Sequence, residues 1–312
     1  MISKSKGGMH IKNLLIEGKR VRIRLPFARF VKVRSPILFP SGRGFDKSAV
    51  YNPAVIYDGG IFYMIYRTQS EWFKTSYLML ATSKDGINWR SNEEPIIEPT
   101  LREEKKGGCG DLRLFKINGR YILTYTAYNG RLARLCIAVS RNLKDWTKYG
   151  SILPTFRWTK SGAILPTKIN EKYWMYFGES NIWIATSEDL IHWSANKKDV
   201  VLRPRRNRFD SRLVEPGSPP IVTDDYILLI YNSADYDFTY HVAWVAFSKD
   251  DPTKLIARAE TPLLSPEFKW ELEGQVDNVW FAEGLVYLDD IWYLYFGGTE
   301  HILDLQKLKL RH

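Results

Sequence analysis

NPAVIYDGGIFYMIYR (52–67) is the stretch on which the fold turns: a polar residue, a short apolar strand, a tight turn and an aromatic strand. The same plan returns in DLRLFKINGRYILTYTAY (111–128), SGAILPTKINEKYWMYFG (161–178) and SPPIVTDDYILLIYNSAD (218–235). A fifth unit, DNVWFAEGLVYLDDIWYLYFGG (277–298), fits with a longer first strand. Counted from Asn52, Asp111, Ser161, Ser218 and Asp277, the spacings are 59, 50, 57 and 59 residues. Asp58-Gly59-Gly60, Asn118-Gly119, Asn170-Glu171, Asp224-Asp225 and Asp289-Asp290 supply the turns, with residue types that tolerate positive φ between β-rich runs. A third strand follows in four units, and in three it runs into a turn ending on tryptophan: Trp89, Trp146 and Trp193.

A period of this size, built from about four short strands, predicts a β-propeller. Five units predict an all-β, five-bladed propeller forming one domain over residues 35–312. A β-sandwich has no need of five similar units. The terminal tryptophans are read as core between blades rather than as ligand platforms.

Composition bounds the rest. The chain has 312 residues, 45% hydrophobic, with two cysteines, so it can build a large core and is no disulfide scaffold. No run approaches the ~20 apolar residues of a membrane helix. The basic N-terminus has only Leu14-Leu15-Ile16 as an apolar run, too short for a signal peptide, and the expectation is a soluble cytoplasmic protein. Few Gln, Met and Cys residues beside many charges fit a thermophile. The net charge of +10 raises nucleic acid as a partner. However, residues 1–34 hold ten Lys or Arg against Glu17 alone, a net of +9, which leaves +1 for the other 278 residues. Residues 1–34 are therefore read as a basic arm or edge strand. Val21–Leu25 alternates apolar and basic, which favours the edge strand over nucleic-acid binding.

In a propeller the first strand of each blade lines the central channel. Asn52, Asp111, Ser161, Ser218 and Asp277 would then face the axis at one mouth. One polar residue there is what any strand start shows; five in register point to a binding funnel. Asp111, Glu215, Asp277 and Glu283 add carboxylates at or near those starts, as glycoside cleavage requires of a proton donor and a group that activates water. None of the five histidines accompanies Cys109 as a base, and zinc-ligand spacing is absent from the sequence.

These residues resemble glycoside hydrolase family 130, the β-mannoside phosphorylases and β-mannosidases, over roughly residues 35–300. The resemblance rests on YNPAVI with its downstream YR (51–67), GDLRL…YTAY (110–128), AILPTKINEKYWMYFGES (163–180), IATSEDLIHW (184–193), VEPGSPPI…LLIYN (214–232) and FAEGLV…YLYFGGTE (281–300). It implies a five-bladed propeller and an inverting mechanism with Asp111 as general acid, in a motif that departs from the family at Gly110 and Leu112. The family's phosphorylases hold phosphate with cationic groups. Here Leu213-Val214-Glu215 and Tyr231-Asn232-Ser233 stand where cationic motifs are expected.

The sequence is accordingly read as an exo-acting β-mannosidase of β-1,2 or β-1,4 linkages. Asp111 is its acid, and Glu215 and Glu283 are the candidates for activating water. Asn52, Arg67, Arg113, Lys168, Tyr231 and Asp277 are the candidate sugar ligands. The alternatives are a phosphorylase releasing mannose 1-phosphate, an arabinanase-like glycosidase, which Asn52 at the first inner strand opposes, and a non-catalytic sugar-binding propeller. For the phosphorylase, inorganic phosphate is the co-substrate and Arg131, Arg134 and Lys168 are candidate phosphate ligands. No other cofactor and no metal is expected, and the oligomeric state is left open. Strand alternation puts Asp111 and Arg113 on one face, where the arginine would oppose the protonation a general acid needs.

Overall fold

The computed structural model describes residues 10–16, 19–25, 31–32, 36–299 and 302–309. Five antiparallel sheets succeed one another along the chain as the blades of a five-bladed propeller. Blade one is Ala49–Asp58, Ile61–Gln69, Tyr77–Ser83 and Arg90–Ser91. Blade two is Gly108–Ile117, Arg120–Tyr128, Ala133–Ser140 and Trp146–Ser151. Blade three is Ala163–Ile164, Tyr173–Phe177, Ile182–Ser187 and Ser194–Leu202. Blade four has a divided inner strand, Leu213–Pro216 and Ile221–Val222, followed by Tyr226–Ala234, Tyr240–Ser248 and Leu255–Arg258. Blade five is Trp280–Leu288, Ile291–Gly298 and Ile302–Lys309, completed from the other end of the chain by Val31–Lys32.

That last pairing, Gln306 with Lys32 and Lys307 with Val31, corrects the boundary expected at 34/35. A ring of sheets leaves its last blade with an unpaired edge, and an N-terminal strand covers it. The expected edge strand is also reassigned. Lys19–Leu25 pairs with His10–Ile16 as a separate hairpin, and Leu25 is buried in the apolar cluster shared by blades three to five.

The core lies between blades. Ala54, Ile65 and Leu78 of blade one meet Leu112, Leu123 and Cys136 of blade two. Phe115 and Leu135 of blade two meet Met175 and Phe177 of blade three. Tyr176 stacks on Phe247 of blade four at 4.7 Å, and Trp244 and Trp280 share a cluster that carries the contact to blade five. Val286 and Leu305 return to Val55 and Met64 of blade one, so apolar contact runs around the ring. The tryptophan turns help to hold these seams. The hydroxyls of Ser83, Ser140 and Ser187 each accept from the backbone N–H three residues on, at 3.0, 2.9 and 2.9 Å. Trp89 then packs edge-on to Tyr295 of blade five, at 5.9 Å. No helix among the described residues is long and apolar enough to cross a membrane.

Candidate active site

The site begins with a break in strand regularity. In blade one the pairing passes from Tyr51 with Arg67 to Ala54 with Ile65, and in blade two from Gly110 with Thr126 to Arg113 with Thr124. Asn52 and Asp111 occupy these bulges in the left-handed region, at φ 52° and 48°. Asparagine and aspartate tolerate that conformation better than other side chains, and a bulge re-aims its residue out of the pleat. Ser161, just ahead of the blade-three inner strand, is also left-handed, at φ 57°. In blade five the irregularity falls at Glu283, between Ala282 and Gly284.

These residues converge. Asn52 Oδ1 lies 3.4 Å from the Asp111 N–H and 3.5 Å from Arg67 Nη1, joining blades one and two. Arg67 also donates to Ser76 Oγ at 2.7 Å and lies over the Tyr51 ring. At the centre is Lys160. Its ammonium stands 3.4 Å from Asp111 Oδ2, 3.4 Å from Glu215 Oε1 and 3.9 Å from Glu179 Oε1. Ser161 donates its hydroxyl to the same Glu215 oxygen, and Trp158 Nε1 donates to Glu179 Oε2 at 2.7 Å. A cleft of about 180 Å³ opens over this group, lined by Arg67, Gly110, Asp111, Tyr128, Trp158 and Lys160 among others.

Beneath the cleft lies a second, fully buried ion pair. Arg113 Nη1 donates to Glu283 Oε1 at 3.0 Å, with both side chains 0% exposed. Its Nε donates to Gly217 O at 2.7 Å and its Nη2 to Pro216 O. The guanidinium therefore ties blade two to blades four and five directly beside Glu215. The bulge at Asp111-Leu112 breaks the alternation expected from sequence: Arg113 is fully buried, whereas Asp111 lines the cleft.

The electrostatics separate the carboxylates. Burial opposes ionisation of Asp111, but Lys160, Arg67 and Arg113 outweigh it and hold the carboxyl below its ordinary value. Burial pushes Glu215 up to about 7: Lys160 pulls it down, while Glu179 and Asp111 reinforce the rise. Glu283 is raised well above the ordinary range by burial, which Arg113 only partly offsets. Lys160, despite its own desolvation, is held strongly protonated by Asp111, Glu215 and Glu179.

Of the sequence candidates, Asp111, Glu215, Asn52 and Arg67 are thus brought together, with Glu283 and Arg113 buried below them. Five others lie elsewhere. Lys168 is exposed near the blade-three hairpin turn, its ammonium 4.9 Å from the Tyr173 ring centroid. Seven residues beyond Ser161, it sits toward the other end of the inner segment. The Tyr231 hydroxyl donates to Asp210 at 2.8 Å and accepts from Arg258 at 3.1 Å, in a network that also pairs Arg205 with Asp210. Arg131 is exposed, and Arg134 donates to the Phe156 carbonyl. Asp277 is exposed ahead of the fifth inner strand, which starts at Trp280, and accepts from Gly274 N at 3.0 Å.

Lys160 and Glu179 were missed by sequence reasoning. Lys160 immediately precedes Ser161, and Glu179 stands just past the aromatic strand of blade three, where Arg67 lies near the end of that of blade one. Reading the ends of the second strands, as well as the starts of the first, would have found Glu179. Asn232, at the matching place in blade four, uses its amide on the N–H and C=O of Ala282, at 2.9 and 3.0 Å, and so anchors the residue before Glu283.

Comparison with known proteins agrees with this architecture. The Glyco_hydro_130 family, described as β-1,4-mannooligosaccharide phosphorylase, matches residues 32–312. A 1,2-β-oligomannan phosphorylase of Thermoanaerobacter sp. (strain X514) is 37% identical over 287 residues, covering 88% of this chain and 95% of the relative. A glycosyl hydrolase structure from Bacteroides ovatus superposes with a TM-score of 0.84 at 30% identity, covering 96% of each chain. A structure from work on GH130 glycoside hydrolases that target β-1,2 mannosidic linkages in Candida mannan superposes with a TM-score of 0.84 at 31% identity, covering 95% and 96%. With the family matched across the whole propeller and the bulged Asp111 at its mouth, the chain belongs to glycoside hydrolase family 130.

Proposed function

We propose that this protein hydrolyses β-1,2-linked mannooligosaccharides from one end, with Asp111 protonating the departing sugar and Glu215 activating water. The linkage follows relatives of both reaction types, since the Thermoanaerobacter phosphorylase and the GH130 hydrolases are alike named for β-1,2-mannosides. The observation that carries the choice of water is the ring of three carboxylates, Asp111, Glu179 and Glu215, around the single ammonium of Lys160. A phosphate dianion placed there would face these three carboxyl groups in a poorly solvated site, with Lys160 and Arg67 as the cations of the cleft to hold it. Arg113 is no direct ligand for it, because its guanidinium is buried and bonded to Glu283, Gly217 and Pro216.

Asp111 and Glu215 each lie 3.4 Å from Lys160, close enough to reach one bound sugar. Between the lowered value of Asp111 and the value near 7 of Glu215, the pair holds one proton, resting on Glu215. The reactive form is the minor one, with the proton on Asp111 and Glu215 charged. Asp111 then gives its proton to the glycosidic oxygen, directly or through a sugar hydroxyl, while Glu215 takes one from the attacking water.

Phosphorolysis is the second reading, favoured by the 37% identity to the Thermoanaerobacter enzyme. Incubation with β-1,2-mannobiose and mannotriose, with and without inorganic phosphate, separates the two. Free mannose at an unchanged rate in phosphate-free buffer is expected. Strictly phosphate-dependent release of mannose 1-phosphate would overturn hydrolysis.

A further inference from the structure

Tyr128 and Trp158 line the cleft beside Asp111 and Lys160, yet none of the chemistry above uses them. They are 38% and 43% exposed, large aromatic surfaces left open to water at the cleft. Both come from segments at the mouth: Tyr128 ends the second strand of blade two, and Trp158 lies two residues before Lys160. Their rings meet edge to face, with centroids 6.3 Å apart and planes at 64°. Trp158 is not a loose surface side chain. Its indole N–H is committed to Glu179 Oε2 at 2.7 Å, and the other oxygen of that carboxylate faces Lys160. The indole is thus oriented by the charged cluster itself.

Exposure grades along the lining of the cleft: Cys109, Thr126 and Ala133 are 1%, 5% and 4% exposed, whereas the aromatic pair stands open to water. A chain bound with its terminal residue at the buried end must place the next sugar beyond Asp111, against the aromatic wall. The axial C–H groups of C3 and C5 give one face of mannose an apolar patch that an indole face can cover, opposite the axial 2-hydroxyl. The ring covers that patch while its N–H stays satisfied by Glu179.

We infer that Trp158, braced by Tyr128 and Glu179, forms a binding subsite for the leaving portion of a mannooligosaccharide and selects oligosaccharides over monosaccharide. This rests on the proposed β-mannoside substrate and adds to it a specificity-determining residue.

The test is binding to proteins that cannot turn over. In an Asp111→Asn background, isothermal titration with mannose, β-1,2-mannobiose and β-1,2-mannotriose is compared for Trp158, Trp158→Phe and Trp158→Ala. Removing the ring is expected to weaken mannobiose and mannotriose by about three- to tenfold, the scale of one aromatic contact, and to leave mannose unchanged. Trp158→Phe, which keeps a ring and loses the N–H, should retain most of the affinity. Equal weakening for mannose and mannobiose, or a Trp158→Phe loss as large as that of Trp158→Ala, would overturn the stacking role. Thermal melts of the variants matching that of the parent confirm that the fold is held constant. If the Asp111→Asn protein with Trp158 intact binds no β-mannooligosaccharide, the substrate assignment itself falls. Mannobiose binding that ignores Trp158 removes only the subsite.

Discussion

Replacing Lys160 by methionine removes the charge on which the proposed acid–base pair depends while keeping much of the side-chain volume. The ammonium lies 3.4 Å from both Asp111 Oδ2 and Glu215 Oε1. At an effective dielectric constant of about 20, each contact amounts to about 5 kcal/mol of gross attraction, or roughly 3.5 pKa units. Water entering the cleft and relaxation of the carboxylates will cut this, so a shift of at least about one unit is expected. The sign is fixed: without the cation both carboxylates ionise less readily, and both values rise. Activity in the parent requires one proton on the pair, so kcat/KM should fall above about pH 7, where Glu215 gives it up. In Lys160→Met the alkaline limb should move upward by a unit or more, and the optimal rate should drop about 10²-fold. Lys160→Arg keeps the charge and should leave the limb within a few tenths of a unit. Thermal melts give an independent reading, because two uncompensated carboxylates should lower the Tm of Lys160→Met more at pH 8 than at pH 5. An alkaline limb that stays in place in Lys160→Met would refute the assignment of the shared proton to Asp111 and Glu215.

Three further perturbations test other parts of the site. Asp111→Asn should lower kcat by at least about 10³-fold with an unchanged thermal melt, since the side chain reaches the cleft and supports no core contact. Arg113→Met leaves Glu283 buried without its partner and should cost about 3–5 kcal/mol in chemical denaturation; adding Glu283→Leu should recover a large part of that. A Cβ built on Gly110 lies 3.0 Å from Arg67 Cδ and Nη1, so Gly110→Ala should push Arg67 away from Asn52 and raise KM while changing stability by less than about 1 kcal/mol.

The propeller could be read from the sequence because its signals are local and repeated. An apolar run, a turn that accepts positive φ, an aromatic run and a tryptophan turn recur at nearly constant spacing, and each dictates its own backbone. The fifth unit shows where that reading slips. Aligning it on Asp277 followed the polar residue that began the segment, but pairing of Trp280 with Gly298 and Leu288 with Ile291 sets the register, and the irregularity falls at Glu283. Val31–Lys32 carried no signal at all, because two residues cannot show a period; only closure of the ring gives them a partner.

The site was legible where chemistry depends on residue type and illegible where it depends on direction. Asp111 and Glu215 could be named because the repeat sets carboxylates at or near several inner-strand starts together, and the family resemblance gave them roles. Arg113 was assigned to substrate because two-residue alternation places it with Asp111, and one bulge is enough to void that rule. Lys168 was named and Lys160 was not, although both are cations of the third unit: sequence does not say which end of a blade faces the cleft. Seven residues of extended chain span about 20 Å, so the difference decides whether a charge can act on a sugar at Asp111 at all. The ends of the second strands resolve the choice. Pairing brings Arg67 opposite Tyr51, beside Asn52, and chain order puts Glu179 just past the matching strand of blade three. Lys160 is the cation placed to meet Glu179 there, and the sign of the site is set by what those strand ends carry.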